Sequence, residues 1–204
     1  MADQKKDTEQ KIKEAARIIF QQKGFAGTKT RDIAEAADIN LALLNYYFRS
    51  KKKLYDIIMN ETMQEFFGGV INILDNRTTT LEEKIEAFVG HYIDLLSENA
   101  NVPHFILTNA RENPEGYIEK MGVMDKAQKS YFFQQFMQAV MEGKVPPINP
   151  LHLMLNLMGL VVFPFLAQPL VVATSVISKE QYAEIIMERK RLIPLWVNEM
   201  LKVK

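Results

Sequence analysis

Apolar residues recur along the chain at intervals of three and four, the spacing of amphipathic helices. In the first segment Ile12, Ala15, Ala16, Ile19 and Phe20 form one such face, and Gly24 behind them reads as a stop. Thr30 reads as the cap of a short second helix over 31–37, with Ile33, Ala34 and Ala37 inward. Asp38-Ile39-Asn40 then makes a tight turn, and Asn40 caps a third helix across 41–47. Ser50 caps a longer helix from Lys51 to about Leu74, with Leu54, Ile57 and Ile58 inward and Gly68-Gly69 as a weak point.

Residues 75–79 read as a loop, and Thr80 with Glu83 forms a capping box ahead of a helix over Leu81–Ser97. Pro103 opens a short helix ending near Pro114. A helix rich in Phe, Met and Gln follows from Tyr117 to about Glu142, stopped by Gly143 and Pro146-Pro147. Asn149-Pro150 is the cap and first-turn proline of a very apolar helix over 150–172, and Ser178 with Gln181 opens the last one. No segment alternates with the period of a strand. The pattern predicts an all-α fold of about nine helices.

Composition narrows the function. With 204 residues, 48% of them apolar, the chain can bury a core in one or two domains. The absence of cysteine excludes a disulfide scaffold, a thiolate metal site and a cysteine nucleophile. Twenty-five Lys and Arg balance twenty-five Asp and Glu, which at face value argues against a nucleic-acid partner. Divided along the chain, the balance disappears. Residues 1–55 hold twelve basic against seven acidic side chains, a surplus of five positive charges, and residues 56–204 carry the matching deficit. The first residues are charged and have no apolar h-region, so they do not read as a secretory signal, and a cytoplasmic location is expected.

One stretch raises a membrane question, because no formal charge occurs from Val145 to Ser178 and about 20 apolar residues span a bilayer. His152, Asn156 and Gln168 lie within it, and Pro164 and Pro169 interrupt it. A buried or subunit-interface helix has the same hydropathy, and no membrane partner is expected.

The basic head carries the chemistry. Two short helices joined by a three-residue turn make a helix-turn-helix, whose second helix enters the major groove of double-stranded DNA. Asn40 leaves the N–H groups of the third helix facing outward, a natural phosphate site. Tyr46 and Tyr47 supply hydroxyl groups, Arg49, Lys51, Lys52 and Lys53 follow directly, and Thr28, Lys29, Thr30 and Arg31 form a second polar edge. Base contacts fall to the exposed face of 40–46: Leu41, Ala42, Leu43 and Asn45, with Leu43 suited to a thymine methyl and Asn45 to adenine.

The run Gly24-Phe25, Thr28, Thr30-Arg31-Asp32-Ile33-Ala34, Ala37, Tyr47-Phe48 and Ser50-Lys51 with Leu54 resembles the DNA-binding domain of TetR/AcrR-family regulators, across about residues 8–56. The resemblance implies a bacterial homodimer with a DNA-binding domain at 1–55 and a ligand-binding and dimerisation domain at 56–204. In that family, ligand binding moves the fourth helix, respaces the two reading heads and releases DNA. Asp38 stands where the family usually has Gly, and Asp tolerates a left-handed backbone better than most residues.

The remaining helices show no enzyme signature. None of His91, His104 and His152 follows a Glu by three residues, so the di-iron motif of helical bundles is missing, and no metal or cofactor is expected. The body offers the lining of a pocket for a hydrophobic or amphipathic effector: Met63, Phe67, Phe88, Tyr92, Phe105, Tyr117, Met121, Met124, Phe132, Met158 and Phe163. His104, Thr108 and Asn109 share a helix face as its polar members. Leu157, Val161 and Phe165 on the apolar helix, with Ile185, Leu192, Trp196 and Met200 on the last, are expected to form a four-helix dimer interface. The reading is a ligand-released repressor of a palindromic operator. The alternative is a helical small-molecule-binding protein or enzyme without DNA binding.

Overall fold

The computed structural model describes residues 2–112, 115, 126 and 129–202. These hold nine helices and no strand: α1 (Ala2–Gly27), α2 (Thr30–Ala36), α3 (Leu41–Tyr47), α4 (Lys51–Asp75), α5 (Leu81–Glu98), α6 (Val102–Glu112), α7 (Tyr131–Met141), α8 (Pro150–Ala173) and α9 (Lys179–Met200). Tyr117, Met121 and Met124 lie outside the described residues.

The caps sit where local chemistry puts them. Ser50 accepts from the Lys53 N–H at 3.1 Å, and Asn149 from the Leu151 N–H at 2.9 Å ahead of Pro150. Thr80 with Glu83, and Ser178 with Gln181, close reciprocal capping boxes. Two expectations need correction. Thr30 is already helical: Lys29 occupies the cap position of α2 and offers no side-chain bond. The helix expected to run unbroken to Glu142 restarts at Tyr131, because Ser130 turns extended (φ −64°, ψ 157°) and accepts from the Phe133 N–H. Asp75 Oδ1 takes the Tyr131 N–H at 3.1 Å, anchoring the same end to α4.

Gly68-Gly69 does not break α4. Gly69 instead lets α5 come close, since any side chain there would collide with the His91 ring. At the C-terminal end of α1, Gly24 takes φ 67° and ψ 179°, a region open essentially to glycine alone, and the chain makes one more helical turn to Gly27.

The described residues form two apolar cores. The larger joins α4, α5, α7, α8 and α9 and the first residues of α6; the smaller joins α1, α2, α3 and the start of α4, and Phe105 of α6 reaches into it. A charged residue is built into the body: Lys84 is 1% exposed, and its Nζ donates to the Thr79 carbonyl (2.7 Å) and hydroxyl (2.8 Å). Burial pushes its pKa down, and the Tyr131 ring lies 5.1 Å away.

Helix α8 is long and apolar enough to cross a membrane by length and composition, yet one side of it packs on α5, α6 and α9. Pro164 removes the N–H that the Leu160 carbonyl would accept, and Arg189 of α9 fills the gap, its Nη2 donating to Leu160 O at 2.8 Å. Its guanidinium also faces the Trp196 ring at 5.3 Å. We expect Arg189→Met to lower unfolding stability by about 1–3 kcal/mol, because a part-buried carbonyl is left unpaired. An unchanged urea midpoint would contradict this role.

Candidate nucleic-acid interface

The turn between α2 and α3 closes a Schellman pair: the Asp38 N–H donates to Glu35 O and the Ile39 N–H to Ala34 O, both at 3.0 Å. Asp38 adopts the left-handed conformation this needs, at φ 51°. Asn40 caps α3, its Oδ1 accepting from the Leu43 N–H at 2.8 Å. That oxygen holds the helix start rather than facing a base.

Only Leu44 of α3 is fully buried. Ala42, Asn45 and Tyr46 are exposed one helical turn apart on one face, flanked by half-buried Leu41 and Leu43. Tyr46 is 68% exposed and stands edge-on to the half-buried Tyr47, with ring centroids 5.5 Å apart. Lys5, near the start of α1, lies 5.6 Å from the Tyr46 ring. Sequence reasoning missed this neighbour; its only signal is the Lys5-Lys6 pair within the basic head.

The basic shell divides into cations facing solvent and cations serving the fold. Lys29, Arg31, Arg49 and Lys53 are exposed and carry no ion pair among the described residues. Lys52 pairs with Asp56 at 2.7 Å. Lys23 pairs with Asp32 at 2.9 Å, and its hydrogen bond holds that carboxyl below the usual range.

Two residues expected at the DNA turn inward. Thr28 is 2% exposed and its hydroxyl donates to Gly24 O at 2.7 Å, fixing the end of α1. Lys51 Nζ donates to Phe25 O (2.8 Å) and Thr28 O (2.9 Å) and lies 4.2 Å from the Phe25 ring, so it ties the α1–α2 connection to the start of α4.

The head is fastened to α4 by charge as well as packing. Lys13 and Arg17 of α1 both reach Glu61, at 2.6 and 3.1 Å, and Arg17 also reaches Glu65 at 3.3 Å. On the opposite side the Tyr55 hydroxyl donates to Asn109 Oδ1 of α6. Beside that bond a cleft of about 320 Å³ opens between the end of α1 and the first two turns of α6, and His104, Phe105, Thr108 and Asn109 line it.

The other residues expected around an effector lie elsewhere. Phe88, Tyr92 and Phe132 are buried in the packed body core, with Met63, Phe67 and Met158 half-buried at its edge. Phe163 points outward, 65% exposed. Of the expected dimer contacts, Leu157, Val161 and Phe165 face the protomer's own core and are unavailable to a partner. Leu192 is half-buried, whereas Ile185, Trp196 and Met200 are exposed.

A short exposed helix behind a left-handed turn, rimmed by uncommitted cations, defines a helix-turn-helix DNA-binding head. Residues 12–57 match the model of the bacterial regulatory proteins of the tetR family. The "Probable HTH-type transcriptional regulator YttP" of Bacillus subtilis (strain 168) is 30% identical over 168 residues, 79% of each chain. The "HTH-type transcriptional repressor KstR2" of Mycolicibacterium smegmatis is 24% identical over 65% of this chain and 64% of that one. The fold also matches HlyIIR, a hemolysin II transcriptional regulator, with TM-score 0.67, 16% identity and coverage of 98% and 99%. The chain belongs to the tetR family: it is a DNA-binding transcriptional regulator and not an enzyme.

Proposed function

We propose that the protein is a homodimeric cytoplasmic repressor that reads a palindromic operator and lets go of it when a hydrophobic or amphipathic small molecule binds. Residues 1–55 form the reading head in this account, and 56–204 the effector and dimer body. The observation that carries the DNA reading is the exposed α3 face of Ala42, Asn45 and Tyr46, set among Lys29, Arg31, Arg49 and Lys53. Phosphate contacts from those cations set register and salt dependence, and the α3 face sets sequence preference. Two names among the relatives and structural neighbours favour this class: KstR2 is a repressor and HlyIIR a transcriptional regulator.

The dimer rests on the outer side of α8 and α9. Leu151, Leu155 and Phe163 recur at multiples of four along α8, with open space beside Gly159 between them. Ile185, Leu195, Trp196 and Met200 are exposed on α9. So many large apolar side chains on two adjoining helices suit a second copy of the same surface.

Selection on random duplex DNA tests the operator. The wild type should enrich a two-fold symmetric site. Lys29→Ala with Arg31→Ala should weaken binding across all sequences and flatten the log–log salt slope by roughly two. Failure of the wild type to enrich any sequence sinks the proposal.

A further inference from the structure

Helix α1 is longer than the core it serves. Ile12 is the first buried side chain described in it, and the residues ahead of Ile12 add roughly 15 Å of helix. From Lys5 to Lys11 only Thr8 is half-buried, and the rest are exposed. The stripe that buries Phe20, Ala16 and Ile12 nevertheless continues backward through Thr8 to Lys5, at helical spacings of four and three. An ammonium thus stands on the inward face, past the point where there is a core to enter. What it meets is α3: Lys5 Nζ lies 5.6 Å from the Tyr46 ring. Further along α1, Lys11 lies 3.8 Å from Asp38 of the turn, so the overhang runs alongside the helix-turn-helix.

The cations of α1 divide by what they serve. Lys13 and Arg17 are committed to Glu61 and Glu65 of α4. Lys5 carries no ion pair among the described residues, although Glu9 stands four residues on, at the spacing that favours one. Tyr46 is 68% exposed, and its ring has two neighbours, the Tyr47 ring edge-on at 5.5 Å and the Lys5 ammonium.

We propose that Lys5 contacts DNA and positions Tyr46: its ammonium binds a backbone phosphate of the strand beside α3 while it holds the tyrosine ring toward the base edges. The two roles are compatible. The ring face attracts the charge without using a hydrogen bond, so the three N–H donors of the ammonium stay available to phosphate oxygens. Restraint of the ring has a consequence for recognition. An exposed aromatic side chain that turns freely loses that freedom on docking, whereas one already set between a cation and a second ring loses less. Of the acids nearby, Asp7 falls about 160° round the helix from Lys5, and Glu9 lies one turn nearer the core. The inference rests on the α3 face being the one that meets DNA.

The full-length protein and its variants are put through selection on random duplex DNA, and binding to the wild-type consensus duplex is then followed across salt concentrations. Lys5→Ala should weaken binding roughly three- to tenfold at physiological salt and lower the log–log salt slope by about one. The melting temperature should not change, because the side chain is exposed. The same variant should relax selection at the base position that Tyr46→Ala relaxes. Lys5→Arg should keep both properties, since a guanidinium binds phosphate and stacks on a ring. Lys6→Ala, about 100° round the helix from Lys5, should leave the base preference of the wild type intact. An unchanged slope or an unchanged selected sequence in Lys5→Ala overturns the assignment, and so does the same relaxation in Lys6→Ala; each of these leaves the DNA reading standing. A wild type that enriches no sequence overturns the DNA reading and the role of Lys5 together.

Discussion

If the proposed dimer forms through α8 and α9, Phe163→Asp or Trp196→Arg is expected to yield monomers whose operator affinity is at least about 100-fold lower than that of the parent protein. Both side chains face outward, 65% and 41% exposed, so neither change empties the protomer's own core. In the proposed dimer each would place a charge within an apolar contact. The loss at DNA follows from geometry. Two linked heads bind their half-sites with an effective-concentration advantage of roughly 10²–10⁴, and a monomer forfeits it. Light scattering separates the cases: intact dimers in both variants would remove the α8–α9 surface from the account. Leu157→Asp, by contrast, should damage folding rather than assembly, because Leu157 is 1% exposed within the protomer.

The second large effect comes from two neighbouring residues with opposite roles. Leu44→Ala should cost about 2–5 kcal/mol of stability and abolish DNA binding, since it removes the one fully buried side chain of α3. A seven-residue helix has little stability of its own and depends on that anchor. Asn45→Ala, on the exposed face, should leave the urea midpoint within about 0.5 kcal/mol and change the selected operator sequence instead. Equal stability losses in the two variants would mean that α3 is oriented differently.

The parts of the molecule legible in the sequence are those governed by local rules. Asn40, Ser50, Thr80, Asn149 and Ser178 each cap the expected helix, because a cap needs only a short polar side chain and the N–H two or three residues on. Asp38 in the left-handed turn was legible for the same reason. What escaped depends on the direction a side chain takes in three dimensions. Thr28 and Lys51 look like phosphate ligands in a basic run, yet both bond to main-chain carbonyls around the end of α1. Helix α8 is apolar on every side, so its pattern has no polar face to show that Leu157 points in and Phe163 out. Helical spacing put His104, Thr108 and Asn109 on one face, but nothing local shows that the opposite wall is the end of α1.

Phe105 belongs to the body by sequence and to the head by packing. It sits in the same core as Phe20 and Tyr55, as do Ile58 and Met59 of α4. A chimeric regulator made by splicing a foreign reading head onto this body at residue 55 would therefore inherit half of a hydrophobic socket. The graft would need a side chain matched to Phe105, in the way a donor tissue must match its recipient, before its operator preference could be transplanted.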